Sequence, residues 1–150
     1  MEKSRVLEAA KKHKAGFNCC QAVVCTYADL LGIDETTCFR VSEGFGLGIA
    51  KEYRTCGSCC AMVLAAGLKN SDANLDAPKS KLDTFALGHK MIDLFEEKNG
   101  TSICAQLRGT DGITDRIRSC RGCVMDCAEI IEKVLFEGMF EPYDGPSEFE

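Results

Sequence analysis

Apolar positions in this chain recur three and four residues apart and almost never alternate with polar ones, a pattern that predicts helices and no sheet. Residues 2–14 read as a first helix with Val6, Leu7 and Ala10 as its apolar stripe and Lys11, Lys12 and Lys14 outside, which makes His13 a surface histidine. Asn18 is a suitable N-cap for a second helix over 19–31, with Gly32 as its stop. At 100° per residue, Cys19, Cys20, Val23, Val24, Tyr27, Leu30 and Leu31 share its inner face, whereas Gln21, Cys25 and Asp29 fall outside. Asp34 caps a shorter helix over 35–43 with Cys38 and Val41 as core positions.

Residues 56–68 are uncharged and apolar all round, as befits the most buried helix of a bundle. A polar connection over 70–78 leads to a long helix over 79–98, whose inner face is read as Leu82, Phe85, His89, Ile92 and Phe95 and whose stop is Asn99-Gly100. His89 is then a core histidine bonded to a carbonyl or a group near the thiols. A short helix over 102–107 carries Cys104, residues 109–118 form a flexible connection, and a last helix over 120–137 ends at Gly138. The expected fold is all-α: a single-domain multi-helix bundle with a central apolar helix over residues 1–138, followed by an acidic, extended or mobile tail over 139–150.

Gly44-Phe45-Gly46-Leu47-Gly48 resembles part of a dinucleotide fingerprint, but no strand precedes it and the third glycine of the spacing is missing. A tight loop against the cysteine site fits better.

At 150 residues the chain can bury about two thirds of its unfolded surface, so folding does not depend on disulfides. The net charge of −5 is accounted for by the acids of residues 137–150. No basic stripe interleaved with aromatics is present, which argues against nucleic acid, and no apolar run approaches the ~20 residues of a membrane span. Met1 to Arg5 lead into a charged helix with no signal-peptide core, and a cytoplasmic location is expected.

Against this plain background stand eleven cysteines, an odd number, grouped in helix-compatible clusters. Thiols at this density outside a secreted context point to metal or redox chemistry. Cys56-Gly-Ser-Cys59 is a C-x-x-C at a predicted helix N-terminus, where backbone N–H groups and the helix dipole favour a thiolate. Cys56 is therefore the expected reactive thiol or ligand. A thioredoxin reading lacks its βαβ context. Cys120-x-x-Cys123-x-x-x-Cys127 is only a fragment of ferredoxin spacing, so a site assembled from several helices is the better use of these thiols. Zinc is a further candidate, although its C-x-x-C pairs usually sit on knuckles rather than inside apolar helices.

These motifs resemble a family of small proteins named for a C_GCAxxG_C_C cysteine signature and for a redox activity with no settled substrate. The resemblance runs from about Gly16 to Leu135. It rests on Asn18-Cys19-Cys20-Gln21-Ala22, the glycine loop at 44–48, Cys56-Gly57-Ser58 through Gly67-Leu68, Gly100-Thr-Ser-Ile-Cys104-Ala-Gln-Leu107, and Cys120 with Val124, Asp126, Ala128, Glu129 and Ile130. It implies that the four signature cysteines are Cys19, Cys56, Cys104 and Cys120. Ser58 and Ala61 depart from the signature, and Cys20, Cys25, Cys59, Cys60, Cys123 and Cys127 are additional to it.

Three functions remain open. The leading expectation is an electron-transfer or redox-sensing protein with an iron–sulfur cluster on Cys19, Cys56, Cys104 and Cys120, and with Cys59, Cys60 and Cys123 as substitute or additional ligands. The second is a thiol–disulfide oxidoreductase in which Cys56 attacks and Cys59 resolves. The third is binding and delivery of zinc or another metal. The blandest account has the thiols as core filler and no cofactor. Whether the chain is an enzyme, and which protein is its redox partner, the residues do not say. The apolar Phe45 and Leu47, with the aromatics of the tail, suggest a homodimer.

Overall fold

The computed structural model describes residues 1–150 and contains seven α-helices: α1 Val6–Lys14, α2 Cys19–Thr26, α3 Glu35–Ser42, α4 Gly57–Asn70, α5 Lys81–Asn99, α6 Cys104–Arg108 and α7 Cys120–Val134. No strand forms; the two isolated β-bridges, Glu2 with Phe140 and Thr55 with Ile103, act as ties. None of the helices is long and apolar enough to cross a membrane.

Helix α2 starts where Asn18 and Gln21 cap each other reciprocally, each backbone N–H donating to the other's side-chain oxygen at 3.0 Å. All eight of its residues are buried, because α1, α3, α4 and α7 surround it. Taking Val23 and Val24 fully out of water contributes about 1.5–3 kcal/mol each. The expectation for α4 is thereby only half met. It packs on α2, α5 and α7, but Val63 and Leu68 on its outer side remain 41% and 38% exposed.

Helical facing is where the periodic reading fails. Gln21 and Cys25, assigned to the polar side of α2, are buried under α3, with the Gln21 amide donating to the Phe39 carbonyl at 3.0 Å. Val41, assigned to the core, is half exposed. Helix α5 is rotated from its expected setting and turns Gly88, Met91 and Phe95 inward. The reason is Gly88: a Cβ there would lie 3.3 Å from a Val63 methyl, so the bare backbone lets α5 close on α4 along this line. Leu82, Phe85 and His89 consequently face solvent, and His89 pairs only with Asp93 one turn on. His13, expected on the surface, is half-buried and accepts a hydrogen bond at Nδ1 from the Arg121 guanidinium of α7 at 3.1 Å.

Helix α1 begins at Val6 rather than residue 2 because Glu2 instead bridges the chain after α7. Its N–H donates to the Met139 carbonyl and its carbonyl accepts from the Glu141 N–H. The tail beyond Gly138 is extended and held to the body: Phe140 is buried beside Tyr27 and Phe136, Arg118 binds Glu148 and the Ser147 carbonyl, and Arg121 binds the Phe149 carbonyl. Buried polar groups are paired too. Glu132, 6% exposed, accepts from the Tyr27 hydroxyl and from the Arg5 N–H.

Candidate functional site

Each of the four signature cysteines stands at the start of a helix. Cys19, Cys104 and Cys120 are the first residues of α2, α6 and α7, and Cys56 is the N-cap of α4. The folds of the intervening loops bring these four starts to one place. Cys19, Cys56, Cys104, Cys120 and Cys123 line one small pocket of about 20 Å³, together with Leu47, Leu107, Arg108 and Arg118.

The packing there leaves no room for a side chain at two glycines. A Cβ on Gly57 would lie 2.5 Å from the Cys19 sulfur and 2.6 Å from the Phe45 carbonyl oxygen, and one on Gly48 would lie 2.8 Å from Cys104 Cβ. The loop that presses on the thiols has an unusual backbone. Leu47, Gly48, Ile49, Ala50 and Lys51 all have φ between +52° and +70°, which makes a left-handed turn. Such conformations cost L-residues roughly 1–2 kcal/mol each. The turn is held by backbone bonds from Ala50 N to the Gly44 carbonyl and from Tyr53 N to the Leu47 carbonyl, and the Leu47 N–H points at the Cys19 sulfur.

The thiols touch one another in a defined order. Cys120 hydrogen-bonds to Cys19, and the Leu47 and Cys20 N–H groups add to this; together they hold the Cys19 thiol below its ordinary range. Cys56 is held well below that range by the Cys123 and Cys59 thiols, and further by the Cys59 and Ser58 N–H groups at the start of α4. The donors move the opposite way: Cys120 and Cys123 are pushed up by the thiolates that they serve. Cys59 is pushed up by its hydrogen bonds to Cys127 and Cys56. Burial raises Cys127 and Cys104 to about 11, with the Arg108 charge opposing the rise at Cys104.

Of the thiols picked out from sequence, five therefore share the cavity. Cys59 reaches it only through its contact with Cys56. Cys60 points elsewhere, 3.9 Å from the Thr55 carbonyl, and with Cys59 lines an apolar groove between α4 and α5; burial raises it to about 12. Cys127, two turns into α7, meets the other thiols only through Cys59. Spacing gave no sign of Arg108 and Arg118.

Arg118 is fixed by Asp126, itself 3% exposed, through hydrogen bonds of 3.0 Å from Nε and Nη2. The Arg108 Nε, by contrast, is buried and has no hydrogen-bond partner. An unsatisfied buried N–H costs about 1–3 kcal/mol. Arg108 lines the same pocket as the five thiols, and a positive charge beside thiols suits, by its chemistry, an anionic, sulfur-rich group. As they stand, no three thiol, imidazole or carboxylate groups are gathered closely enough to hold a metal ion. The donor set nonetheless suits an iron–sulfur centre: only thiols, from separate elements, with two arginines and the N-termini of α2, α4 and α7 to balance negative charge.

No curated protein and no solved structure matches this chain. Residues 17–134 match the family described as "Putative redox-active protein (C_GCAxxG_C_C)". The matched stretch spans all four signature thiols and every helix that positions them, and the chain belongs to the C_GCAxxG_C_C family of redox-active proteins.

Proposed function

We propose that this protein is an electron carrier or redox sensor whose centre is an iron–sulfur cluster held by Cys19, Cys56, Cys104 and Cys120, with Cys123 able to replace one of them. The observation that carries the reading is that Arg108, whose buried Nε has no partner, lines the same pocket as the five thiols. A neutral disulfide would leave this donor unsatisfied, whereas the sulfur atoms of an anionic cluster would accept from it. The cluster would supply reversible one-electron chemistry. The protein's part is to keep Cys19 and Cys56 as thiolates, to offset the charge with Arg108 and Arg118, and to exclude water with Leu47 and Leu107. Hydrogen bonds and positive charge at the sulfurs would raise the potential relative to an exposed cluster. A reducing compartment such as the cytoplasm suits such a centre.

Iron and acid-labile sulfide, measured after strictly anaerobic purification, test the proposal. Bound iron with matching sulfide is expected. Cys56→Ser and Cys104→Ser should abolish both, and Cys38→Ala should leave them largely intact.

A second reading is favoured by the contacts of Cys59 and Cys123 with the Cys56 thiolate, which are those of a nucleophile between two resolving thiols. Colourless protein with a titratable Cys56–Cys59 or Cys56–Cys123 disulfide would select it.

A further inference from the structure

The outward side of α4 carries one continuous, largely apolar stripe. Cys59 with Cys60, Val63 with Leu64, and Gly67 with Leu68 recur in pairs four residues apart, so they stack along one face of the helix. They line a groove of about 780 Å³, bounded by Phe45 and Ile49 of the glycine loop and by Ile92 of α5. The groove runs from Thr55 to Ser71, the whole length of α4, or about 21 Å for its 14 residues. Nothing in the chain fills it: Val63 and Leu68 stay 41% and 38% exposed, and a Cβ on Gly67 would meet no atom within 4 Å.

Two features narrow what fits there. No charged side chain lines the groove, so the phosphates of a nucleotide cofactor would find no counter-charge. The volume and apolar lining are those of a site for a small organic molecule, and the length suits one with an extended apolar tail. The groove also begins where the thiol pocket ends. Cys56 and Gly57 line the pocket, Thr55, Cys59 and Cys60 line the groove, and the Cys60 N–H donates to the Cys56 carbonyl at 3.0 Å. The loop divides in the same way, with Leu47 on the pocket and Phe45 and Ile49 on the groove. The two sites thus share the first turn of α4, whose rise is about 5.4 Å. At this end the Thr55 hydroxyl and the Cys60 thiol are donors for a carbonyl oxygen. Burial raises Cys60 to about 12, which keeps its proton in place.

We propose that the groove binds a lipophilic quinone as the electron acceptor of the redox centre, with its ring at the Thr55–Cys60 end and its tail along Val63, Leu64, Gly67 and Leu68. This deepens the electron-carrier reading and rests on it for the source of the electrons; the binding itself does not need it. The reduced centre gives up two electrons, one at a time, and is re-reduced in between by a one-electron donor protein. The quinone takes both electrons, with two protons from the water at the open side of the groove, and leaves as the hydroquinone.

The test is equilibrium dialysis of the full-length protein, purified anaerobically, against decylubiquinone, whose fully substituted ring does not add to thiols. One molecule should bind per chain. Gly67→Leu, which fills the groove, and Leu68→Lys, which puts a charge in it, should each weaken binding roughly tenfold or more, with circular dichroism showing both variants folded. Duroquinone, a ring without a tail, should also bind roughly tenfold or more weakly, since each buried methylene is worth about fourfold. After reduction with dithionite and removal of the excess, the bound quinone should reoxidise the centre at two equivalents of protein per quinone. Gly67→Leu should slow that reaction several-fold. No binding, undiminished binding by both folded variants, or decanol bound as tightly as the quinone would each overturn the assignment. So would self-association in sedimentation that the same two substitutions abolish, because the groove would then belong to a second copy of the chain. Protein that binds the quinone but carries no iron or sulfide would remove the metal-centre reading alone, whereas iron and sulfide without quinone binding would remove this one alone.

Discussion

The Arg118 guanidinium grips the Asp126 carboxylate through two hydrogen bonds of 3.0 Å, and it does so on the wall of the thiol cavity. Lys98 and Asn99 at the end of α5 bind the same carboxylate. One buried acid thus joins α5, α7 and an arginine of the site. Removing one member of such a pair leaves the other buried and uncompensated, which costs about 3–5 kcal/mol. Asp126→Asn should lower stability toward the lower end of that range, since Lys98 is half exposed and Arg118 keeps Glu148. Urea unfolding followed by circular dichroism measures it, and a loss below about 1 kcal/mol, the level of an exposed ion pair, would show that Arg118 does not depend on Asp126.

The left-handed turn over residues 47–51 makes a prediction of opposite sign. Ala50 has φ +52° and an exposed side chain, so its methyl group brings strain without burial. Ala50→Gly should stabilise the protein by about 1 kcal/mol despite the extra freedom of the unfolded chain, because the left-handed penalty outweighs the entropy of glycine. An unchanged or lower midpoint in thermal or urea unfolding would mean that this turn is not left-handed in solution.

Two glycines of one helix should respond in opposite ways. At Gly57 an added Cβ meets the Cys19 sulfur and the Phe45 carbonyl, so Gly57→Ala should cost about 1–3 kcal/mol and displace Cys19 from the site. At Gly67 nothing lies within 4 Å, and Gly67→Ala should gain about 0.5–1 kcal/mol through helix propensity alone. Denaturation midpoints of the two variants, read beside the thiol reactivity of Cys19, check both halves.

His13 gives the stability a pH dependence. Burial, and then the charge of Arg121, lower its affinity for a proton, and its Nδ1 is already occupied as an acceptor from Arg121. The folded pKa lies below the unfolded one, so between the two the unfolded chain binds more protons. The stability contributed by neutral His13 is complete above about pH 6.5 and is lost as pH falls through the folded pKa. His13→Gln should flatten this part of the profile. Unfolding free energies between neutral and mildly acid pH, with the histidine resonance titrated alongside, measure the effect; a His13 that titrates above its ordinary value would reverse the sign.

Local signals in the chain were enough for the elements. Asn18, Asp34 and Ser119 accept hydrogen bonds from the first turns of α2, α3 and α7, and Gly100 ends α5 in the left-handed conformation, because caps and stops act within four residues of sequence. The all-α class and the family followed from residues close together in the chain, as did the expectation that the glycine loop lies against the cysteine site; which thiols it meets, Cys104 at Gly48 and Cys19 at Leu47, came from the structure. The rest depended on what packs on what. A helical wheel divides residues into two faces, but α2 has neighbours on every side, so Gln21 and Cys25 are buried although they fall opposite Val23 and Val24. The facing of α5 was decided by one close approach at Gly88, which periodicity cannot weigh. The partners of the thiols were likewise settled only in three dimensions. Cys59 finds Cys127, and Arg108 reaches the cavity, because these contacts join residues far apart in the chain whose distances depend on how whole helices are stacked.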